Sequence, residues 1–214
     1  MENLEHNKII KTIATKLFKP YGIKRKGQSS FFIDDNGWFL IIIEFQPHKF
    51  KRGTFLNIGI NFNWYLEDYF SFDIGNREKD FIEYNNTEQF TDEIEKLCEY
   101  SIKIINEYRI KLKNINVSKK IILKNNYTSD SLWGNYHRGI ISGLNKEINN
   151  LHKYFNKLLN EPDNNIEWIK ELQKGTRELK DLADNNVNNF IERIKKIIIE
   201  TRKLKKLEEK EIII

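Results

Sequence analysis

The strongest constraint on the fold is a strict alternation of apolar and polar residues in the segment from Thr54 to Trp64. From Leu56 onward every second residue is a large apolar one, and the residues between them are asparagine or glycine. Successive side chains of a β-strand point to opposite faces, so the alternation predicts a half-buried antiparallel strand. Its asparagine side is either an exposed face or the floor of a polar groove.

A β-hairpin is predicted before this strand, where Asn36-Gly37 separates two apolar runs. The Asn-Gly pair favours the positive φ angles of a two-residue type I′ turn. The run after the turn, from Trp38 to Gln46, is largely apolar on both alternating sides. We therefore expect it to be a central strand covered on both faces.

Helices flank the predicted sheet. Apolar spacing predicts one helix that ends at Pro20-Tyr21-Gly22 and another that begins at Asn86, with Gln89 placed as in a capping box. From Leu144 onward, three stripes at helical spacing need a partner surface, either the sheet or another subunit. The predicted fold class is α+β: an antiparallel β-meander of three to five strands packed with helices, followed by an α-helical C-terminal region. The expected domains are residues 1–115 and a mainly helical region, residues 116–214.

Composition excludes several classes of protein. Apolar residues make up 39% of the chain and aromatic residues 13%, which is enough for a core and argues against global disorder. The single cysteine, Cys98, excludes an internal disulfide, and its place in a helical apolar stripe predicts a core thiol. The apolar runs are too short for a membrane span, and the first residues lack the apolar core of a secretion signal. We expect a cytoplasmic protein without a membrane association.

Four segments resemble the motifs of one known family: Leu17 to Gly27, Phe31-Phe32, Trp38 to Gln46, and Phe55 to Ile60. Together they resemble the domain of unknown function 4304 family, in which a helix precedes a basic first strand, an aromatic strand and an Asn-x-Gly strand. The resemblance covers about residues 5–112 and implies an α+β meander. The family has no established activity, so the resemblance implies no function.

A metal-dependent nuclease site would need acids on neighbouring strands, and Asp34 and Asp35 precede Glu44 in this way. If Asn36-Gly37 is the two-residue turn, Asp34 lies about 16 Å along the strand from Glu44, too far to share a metal ion. We interpret both aspartates as turn residues. The four histidines do not show metal-ligand spacing, so we expect neither a metal nor a cofactor.

The same register predicts a basic cluster at one end of the sheet, because it places residues 24–26 opposite residues 47–49. Such a cluster can bind phosphate or an acidic protein surface. The alternative is a charged, solvated sheet end that discourages edge pairing. The candidate residues for binding an anion or a partner are Lys24, Arg25, Lys26, His48, Lys49, Lys51 and Arg52.

A second candidate site lies between Tyr127 and Gly143, where glycine, serine and aromatic residues predict an irregular stretch that leads into a helix. Glycine permits close backbone approach, and aromatic residues and arginine are frequent contact residues. The alternative is an irregular connection held in place by its aromatic side chains. The binding-loop candidates are Trp133, Tyr136, His137 and Arg138.

The sequence carries no phosphate-binding glycine loop, nucleophile elbow or dinucleotide fingerprint. We therefore expect a non-catalytic protein-interaction module, an accessory or immunity-type component of a bacterial toxin or defence system. Its C-terminal helices would contact a protein partner or a second copy of the chain. The alternative is a nucleic-acid-associated protein that uses the basic sheet end, although the 36 basic residues are mixed with 31 acidic ones. An uncharacterised enzyme is the third hypothesis.

Overall fold

The computed structural model describes residues 5–27, 30–125 and 132–214. It divides the chain into two compact units. The first unit comprises the chain up to residue 62 together with residues 70–110, and the second comprises residues 63–69 together with the chain from residue 111 onward. The division at 110/111 lies close to the expected boundary at 115/116, but a short segment of the N-terminal half joins the helical unit.

In the first unit a sheet is flanked by helices in the sequence. Helix α1 is Glu5–Phe18, and a 3-10 turn, Lys19–Tyr21, follows it where Pro20 predicted an end. Helix α2 is Thr87–Lys111, and the Asn86 side chain accepts the Gln89 N–H at 2.9 Å, as the predicted cap requires. The strands are β1 Lys24–Arg25, β2 Phe31–Asp35, β3 Phe39–Pro47, β4 Gly53–Phe62 and β5 Ile74–Glu83.

The sheet is a meander in which each strand pairs with the next in the order β1-β2-β3-β4-β5, and all these pairs are antiparallel. The predicted α+β fold and meander are confirmed. Strand β3 is central, and residues 39–43 are buried on both faces. On one face the Phe18 ring of α1 packs edge-on against Phe32, with ring centroids 5.1 Å apart, and Phe32 packs against Phe45 at 6.1 Å. These rings form the core between α1 and the sheet.

The register of the β2–β3 hairpin differs from the prediction by two residues. Asn36 N–H donates to the Phe39 carbonyl at 3.0 Å, so Gly37 and Trp38 are the two turn residues. Gly37 has a φ of 84°, and a glycine at the first turn position is typical of type II′ rather than type I′. Trp38 is buried and stacks on Phe62, with ring planes 4° apart and centroids 5.9 Å apart. Burial of this indole explains where the turn lies.

Residues 70–72 cover part of the other face of the sheet. The Phe72 ring lies so close to Gly59 that a Cβ added to this glycine would be 2.0 Å from it. Phe70 packs on Phe31, with ring centroids 5.4 Å apart. Asn61, which the alternation places on the polar side, is fully buried. This covering explains why β4 is more buried than its sequence pattern predicts.

The interpretation of Asp34 as a turn residue is wrong. Asp34 is buried, and Arg109 of α2 donates to its carboxylate from Nε at 2.9 Å and from Nη2 at 2.6 Å. A bidentate pair of this kind fixes α2 against the sheet. Asp35 is not a turn residue either: it is the last residue of β2 and pairs with Leu40, and its Oδ1 accepts the N–H of Gly37 at 3.0 Å beside the turn.

The described part of the second unit contains five helices. Contacts within this unit join α3 to α4, α4 to α5, α5 to α6, α6 to α7 and α4 to α7. None of the described helices is both long and apolar enough to cross a membrane. The helices are α3 Ile115–Lys124, α4 Trp133–Leu144, α5 Ile148–Leu159, α6 Glu167–Asn185 and α7 Val187–Leu204.

Helix α4 occupies residues 133–143 of the stretch predicted to be irregular, and residues 127–131 of that stretch are outside the described residues. Two glycines let neighbouring helices approach it closely. A Cβ on Gly139 would lie 2.2 Å from the Phe155 ring of α5, and a Cβ on Gly143 would lie 2.4 Å from the Phe190 ring of α7. Aromatic burial against these glycines outweighs their weak helix propensity.

Segment 63–69 is held in the second unit by buried polar contacts. Lys205 donates to the Glu67 carboxylate at 2.8 Å, and both side chains are almost fully buried. The Thr201 hydroxyl donates to the Tyr65 carbonyl at 2.8 Å. These contacts fix the C-terminal turn of α7 against the segment.

We expect Gly139→Ala to lower the free energy of unfolding by about 1–3 kcal/mol, because the added methyl group overpacks against Phe155. Gly175→Ala in α6 is the matched control, since a Cβ there meets nothing within 4 Å. The control should gain up to about 1 kcal/mol from helix propensity. Urea denaturation followed by circular dichroism measures both variants, and equal effects would contradict the packing role of Gly139.

His6 of α1 is buried between two aromatic rings of the first unit. Its ring centroid lies 6.0 Å from that of Tyr84 and 6.2 Å from that of Phe90. Burial, which disfavours the imidazolium form, and to a lesser extent the positive charge of Arg52, lower the pKa of His6 below its usual 6.5. The unfolded chain therefore binds a proton at this position more readily than the folded chain does.

We expect this histidine to make stability fall as the pH drops from 7.5 to 5, because the contribution of neutral His6 is complete only above the pKa of the unfolded state. His6→Leu removes the titrating group and keeps an apolar side chain of similar volume. Melting temperatures of both proteins across this pH range measure the effect. As the pH falls, the melting temperature of the wild type should decrease more than that of the variant. Parallel curves of melting temperature against pH would contradict the prediction.

Candidate interaction surface at the β3–β4 hairpin

The structure separates the seven basic candidates into two groups. Lys24 and Arg25 form the edge strand β1, which pairs with β2, and β2 lies between β1 and β3. Lys26 follows β1, and its Nζ lies 6.0 Å from the centre of the Phe70 ring. His48, Lys49, Lys51 and Arg52 instead lie in the connection between β3 and β4.

The predicted gathering of all seven residues is therefore wrong. The chain reverses between β1 and β2, so Lys24 lies opposite Ile33, which in turn pairs with Ile42 of β3. Pro47 is five residues further along β3, a distance of roughly 17 Å along the strand. The prediction failed because it extended the β2–β3 pairing beyond the point where β2 begins.

The second group forms a compact hairpin tip, which we define as residues 48–52. Nδ1 of His48 accepts the backbone N–H groups of Phe50 and Lys51, each at 3.0 Å. The His48 ring packs against Phe55 and Phe81 of the neighbouring strands, with centroid distances of 5.9 Å and 5.1 Å. His48 thus fixes the backbone of the tip and joins it to the sheet.

Phe50 is the most exposed aromatic side chain of the hairpin tip, with 82% of its surface accessible. The Lys49 Nζ lies 5.1 Å from the centre of its ring, within the range of a cation–π contact. A large apolar side chain held out in solvent by a fixed backbone is a frequent anchor in protein interfaces. The sequence showed this phenylalanine only as a neighbour of the basic residues.

The tip is positively charged, with local acidic and aromatic neighbours. Lys51 Nζ lies 3.9 Å from the Glu83 carboxylate, and both side chains are more than half exposed, so this pair contributes little to stability. The guanidinium of Arg52 lies 4.7 Å from the centre of the Tyr84 ring. Hydrogen bonds to Glu5 from the hydroxyl groups of Tyr84 and Thr87 lower the pKa of that carboxyl, and Arg52 adds to the effect.

Arg77 of β5 extends the basic surface, and sequence reasoning missed it. Its guanidinium carbon lies 3.9 Å from the centre of the Phe55 ring, and Nη2 donates to Gln46 Oε1 at 3.1 Å. The Asn57 amide donates to the same Gln46 oxygen at 3.0 Å and to Glu44 at 2.8 Å. Strand β5 lies at the end of the sheet order, and its residues after Ile74 are half-buried or exposed on both faces, so it lacks the alternation that would have revealed a strand.

The binding-loop candidates lie on α4 and are not a loop. Tyr136 and His137 are buried, the Tyr136 hydroxyl donates to the Trp64 carbonyl at 2.9 Å, and His137 Nδ1 accepts the Trp64 indole N–H at 2.9 Å. Arg138 donates to the Asn125 carbonyl at 2.9 Å. Trp133 is half-buried. These side chains pack and fasten the second unit together.

The C-terminal stripes are also used within the second unit. Leu172 of α6 and Phe190 of α7 have no accessible surface, and Leu151 and Phe155 of α5 are equally buried. These stripes were expected to form a contact surface because their apolar side chains had to be buried against another element. The neighbouring helices of the second unit bury them. The hairpin tip is therefore the better candidate for a contact surface.

The described residues also bear on the catalytic alternatives. Burial raises the pKa of the Cys98 thiol to about 12, with smaller contributions from Glu95 and Glu99, so this cysteine is a core residue as predicted. Asp34 and Glu44 point to opposite faces of the sheet. Within the described residues, no three His, Cys, Asp or Glu side chains are placed to hold a metal ion together.

No protein-family model, curated protein or solved structure matches this chain. The resemblance to the domain of unknown function 4304 family therefore stays a prediction. The surface at the β3–β4 hairpin consists of a fixed basic tip, one exposed aromatic ring and an arginine that lies over a phenylalanine ring.

Proposed function

We propose that this chain is a non-catalytic binding module that contacts an acidic protein partner through the hairpin tip. The observation that carries the proposal is the 82% exposure of Phe50 on a backbone that His48 fixes with two hydrogen bonds. Exposure supplies the surface that a partner can bury. Fixation reduces the conformational entropy that is lost on binding.

The side chains of the tip match the chemistry of a protein interface. Burying a phenylalanine side chain in a partner pocket contributes about 1.5–3 kcal/mol. Lys49 lies 5.1 Å from the centre of that ring, and Lys51 and Arg52 add positive charge to the same tip, which favours association with an acidic surface and accelerates encounter. Aromatic and arginine side chains are enriched among interaction hot spots.

The biological setting that we propose is the one suggested by the sequence, an accessory or immunity-type component of a bacterial toxin or defence system. A small module with one preformed contact element suits such a role, because its task is to hold a partner rather than to transform a substrate. The resemblance noted in residues 5–112 is compatible with this setting and adds no activity to it.

Affinity capture with tip variants tests the proposal. The immobilised wild-type chain, Phe50→Ser, and the double variant Lys49→Glu with Lys51→Glu are exposed to a lysate of the native host, and bound proteins are quantified by mass spectrometry. We expect a partner that the wild type captures and that both tip variants lose by about tenfold or more, because the anchor or its charge complement is removed.

The matched control is Lys24→Glu with Arg25→Glu, which makes the same change in charge on the edge strand β1. This control should retain the partner. A partner that survives both tip variants, or that the β1 control loses to the same extent, would remove the hairpin tip as the contact surface.

A second function is favoured by a different observation at the same end of the sheet. The guanidinium carbon of Arg77 lies over the Phe55 ring, 3.9 Å from its centre, and Arg77 itself is exposed. Nucleobases of single strands stack on aromatic rings and on arginine planes. The alternative proposal is therefore a single-stranded nucleic-acid binder that uses Arg77 together with the tip cations.

Fluorescence anisotropy with a labelled oligo-uridine tests this alternative. Binding should weaken steeply as salt rises, and Arg77→Lys should weaken it by about tenfold, because lysine keeps the charge and loses the stacking plane. Lys79→Arg, a substitution on the same strand that also keeps the charge, should leave the affinity nearly unchanged. Absence of binding at low salt would exclude the alternative.

A further inference from the structure

One short segment of the second unit carries several lysines and no acidic residue. Residues 111–125 contain five lysines and no acidic residue. The segment therefore has a local net charge of +5.

Helix α3 carries most of this segment and has two apolar faces. Ile115, Ser118 and Ile122 are buried, which is the face that packs within the second unit. Val117 and Ile121 lie one turn apart on another face, and Val117 is 41% exposed. A surface helix ordinarily has one apolar face, so a second one beside lysines indicates a contact surface.

The second face forms the floor of a groove of about 520 Å³, which we call the α3 groove. Three lysines line it, Lys111 at the end of α2 and Lys120 and Lys124 on α3, together with Val117 and Ile121 and with Asn125 at one end. Lysine stems add apolar surface to the walls, and the ammonium groups stay at the rim.

Neighbouring contacts keep the groove basic. Lys119 is the lysine of α3 that is used internally: it donates to Glu147, and this bond, followed by one from Asn150, lowers the pKa of the Glu147 carboxyl. Lys120 and Lys124 form no ion pair within the described part of the chain. Arg138 holds the end of α3 in place through the Asn125 carbonyl.

We propose that the α3 groove binds an acidic amphipathic helix of a partner protein. Leucine-sized side chains of that helix would lie on Val117 and Ile121, and its carboxylates would meet the lysines at the rim. This is the helix-in-groove mode of recognition, with charge complementarity setting the orientation. The inference does not depend on the hairpin tip, because it concerns other residues in the other unit.

The chemistry of the groove favours this occupant over other anions. Single-stranded nucleic acid needs stacking planes, and the lining offers aliphatic groups and lysines instead. An acidic amphipathic helix can pack its apolar side chains on the aliphatic floor while its carboxylates pair with the lysines at the rim.

The test uses the full chain and a fluorescein-labelled helical peptide of roughly 15 residues, with leucines at helical spacing and glutamates elsewhere. Fluorescence anisotropy measures its dissociation constant. We expect Lys120→Glu with Lys124→Glu to weaken binding at least about tenfold, because it reverses the charge at the rim of the groove. Val117→Glu should weaken binding to the same extent, because it places a carboxylate on the apolar floor.

The matched control is Lys103→Glu with Lys113→Glu, which makes the same change in charge at exposed lysines outside the groove lining. It should retain at least half of the affinity. Circular dichroism spectra that match the wild type show that each variant is folded. Equal weakening by the control, or binding of oligo-uridine or anionic lipid vesicles with no binding of the peptide, would overturn the proposal.

Discussion

The uninterrupted antiparallel pairing of β3 with β4 is the interaction on which the rest of the first unit depends. It runs from Phe39 opposite Phe62 to Pro47 opposite Thr54 without a bulge. Because each pair fixes which side chains share a face, this ladder directs one row of apolar residues toward the helices. It also determines where the hairpin tip lies, since the tip is the connection between these two strands. A shift of one residue would exchange the core face for the outer face.

The second unit depends on a different constraint, which is close approach of helices at glycine. Gly139 and Gly143 leave room for the rings of Phe155 and Phe190, and these rings occupy the positions that Cβ atoms would take. The helices can then bury their apolar stripes on one another. Because the C-terminal stripes are buried within the second unit, their apolar side chains are not available to a partner. A contact surface must therefore be formed by groups that remain exposed.

Two exposed basic surfaces result, and they differ in the apolar groups that accompany the charge. The hairpin tip combines cations with the rings of Phe50 and Phe55, whereas the α3 groove combines lysines with Val117 and Ile121. Positive charge alone attracts any anion, so the neighbouring apolar groups determine which anionic partner fits. The overall charge of +5 describes neither surface, because it sums basic and acidic stretches from the whole chain.

The sequence predicted most residues of the candidate site, but it did not predict which of them lie together in the structure. Four of the seven basic candidates lie together at the hairpin tip, because they are neighbours in the chain. Lys24 and Arg25 lie on β1 and Lys26 follows it, because the chain reverses between β1 and β2. Arg77 could not be predicted, because its strand is half-buried or exposed on both faces after Ile74 and so shows no alternation.

The sequence by itself determined the α+β class, the antiparallel meander, the capped start of α2 and the buried place of Cys98. Each of these follows from patterns within a few residues, such as alternation, helical spacing or a capping side chain. Only the tertiary structure decided the turn at Gly37 and Trp38, the helical form of α4 and the partner of Asp34. Local preferences are worth about 1 kcal/mol or less, whereas burial of an aromatic ring or pairing of a buried charge contributes more, so contacts between distant residues prevail where the two disagree.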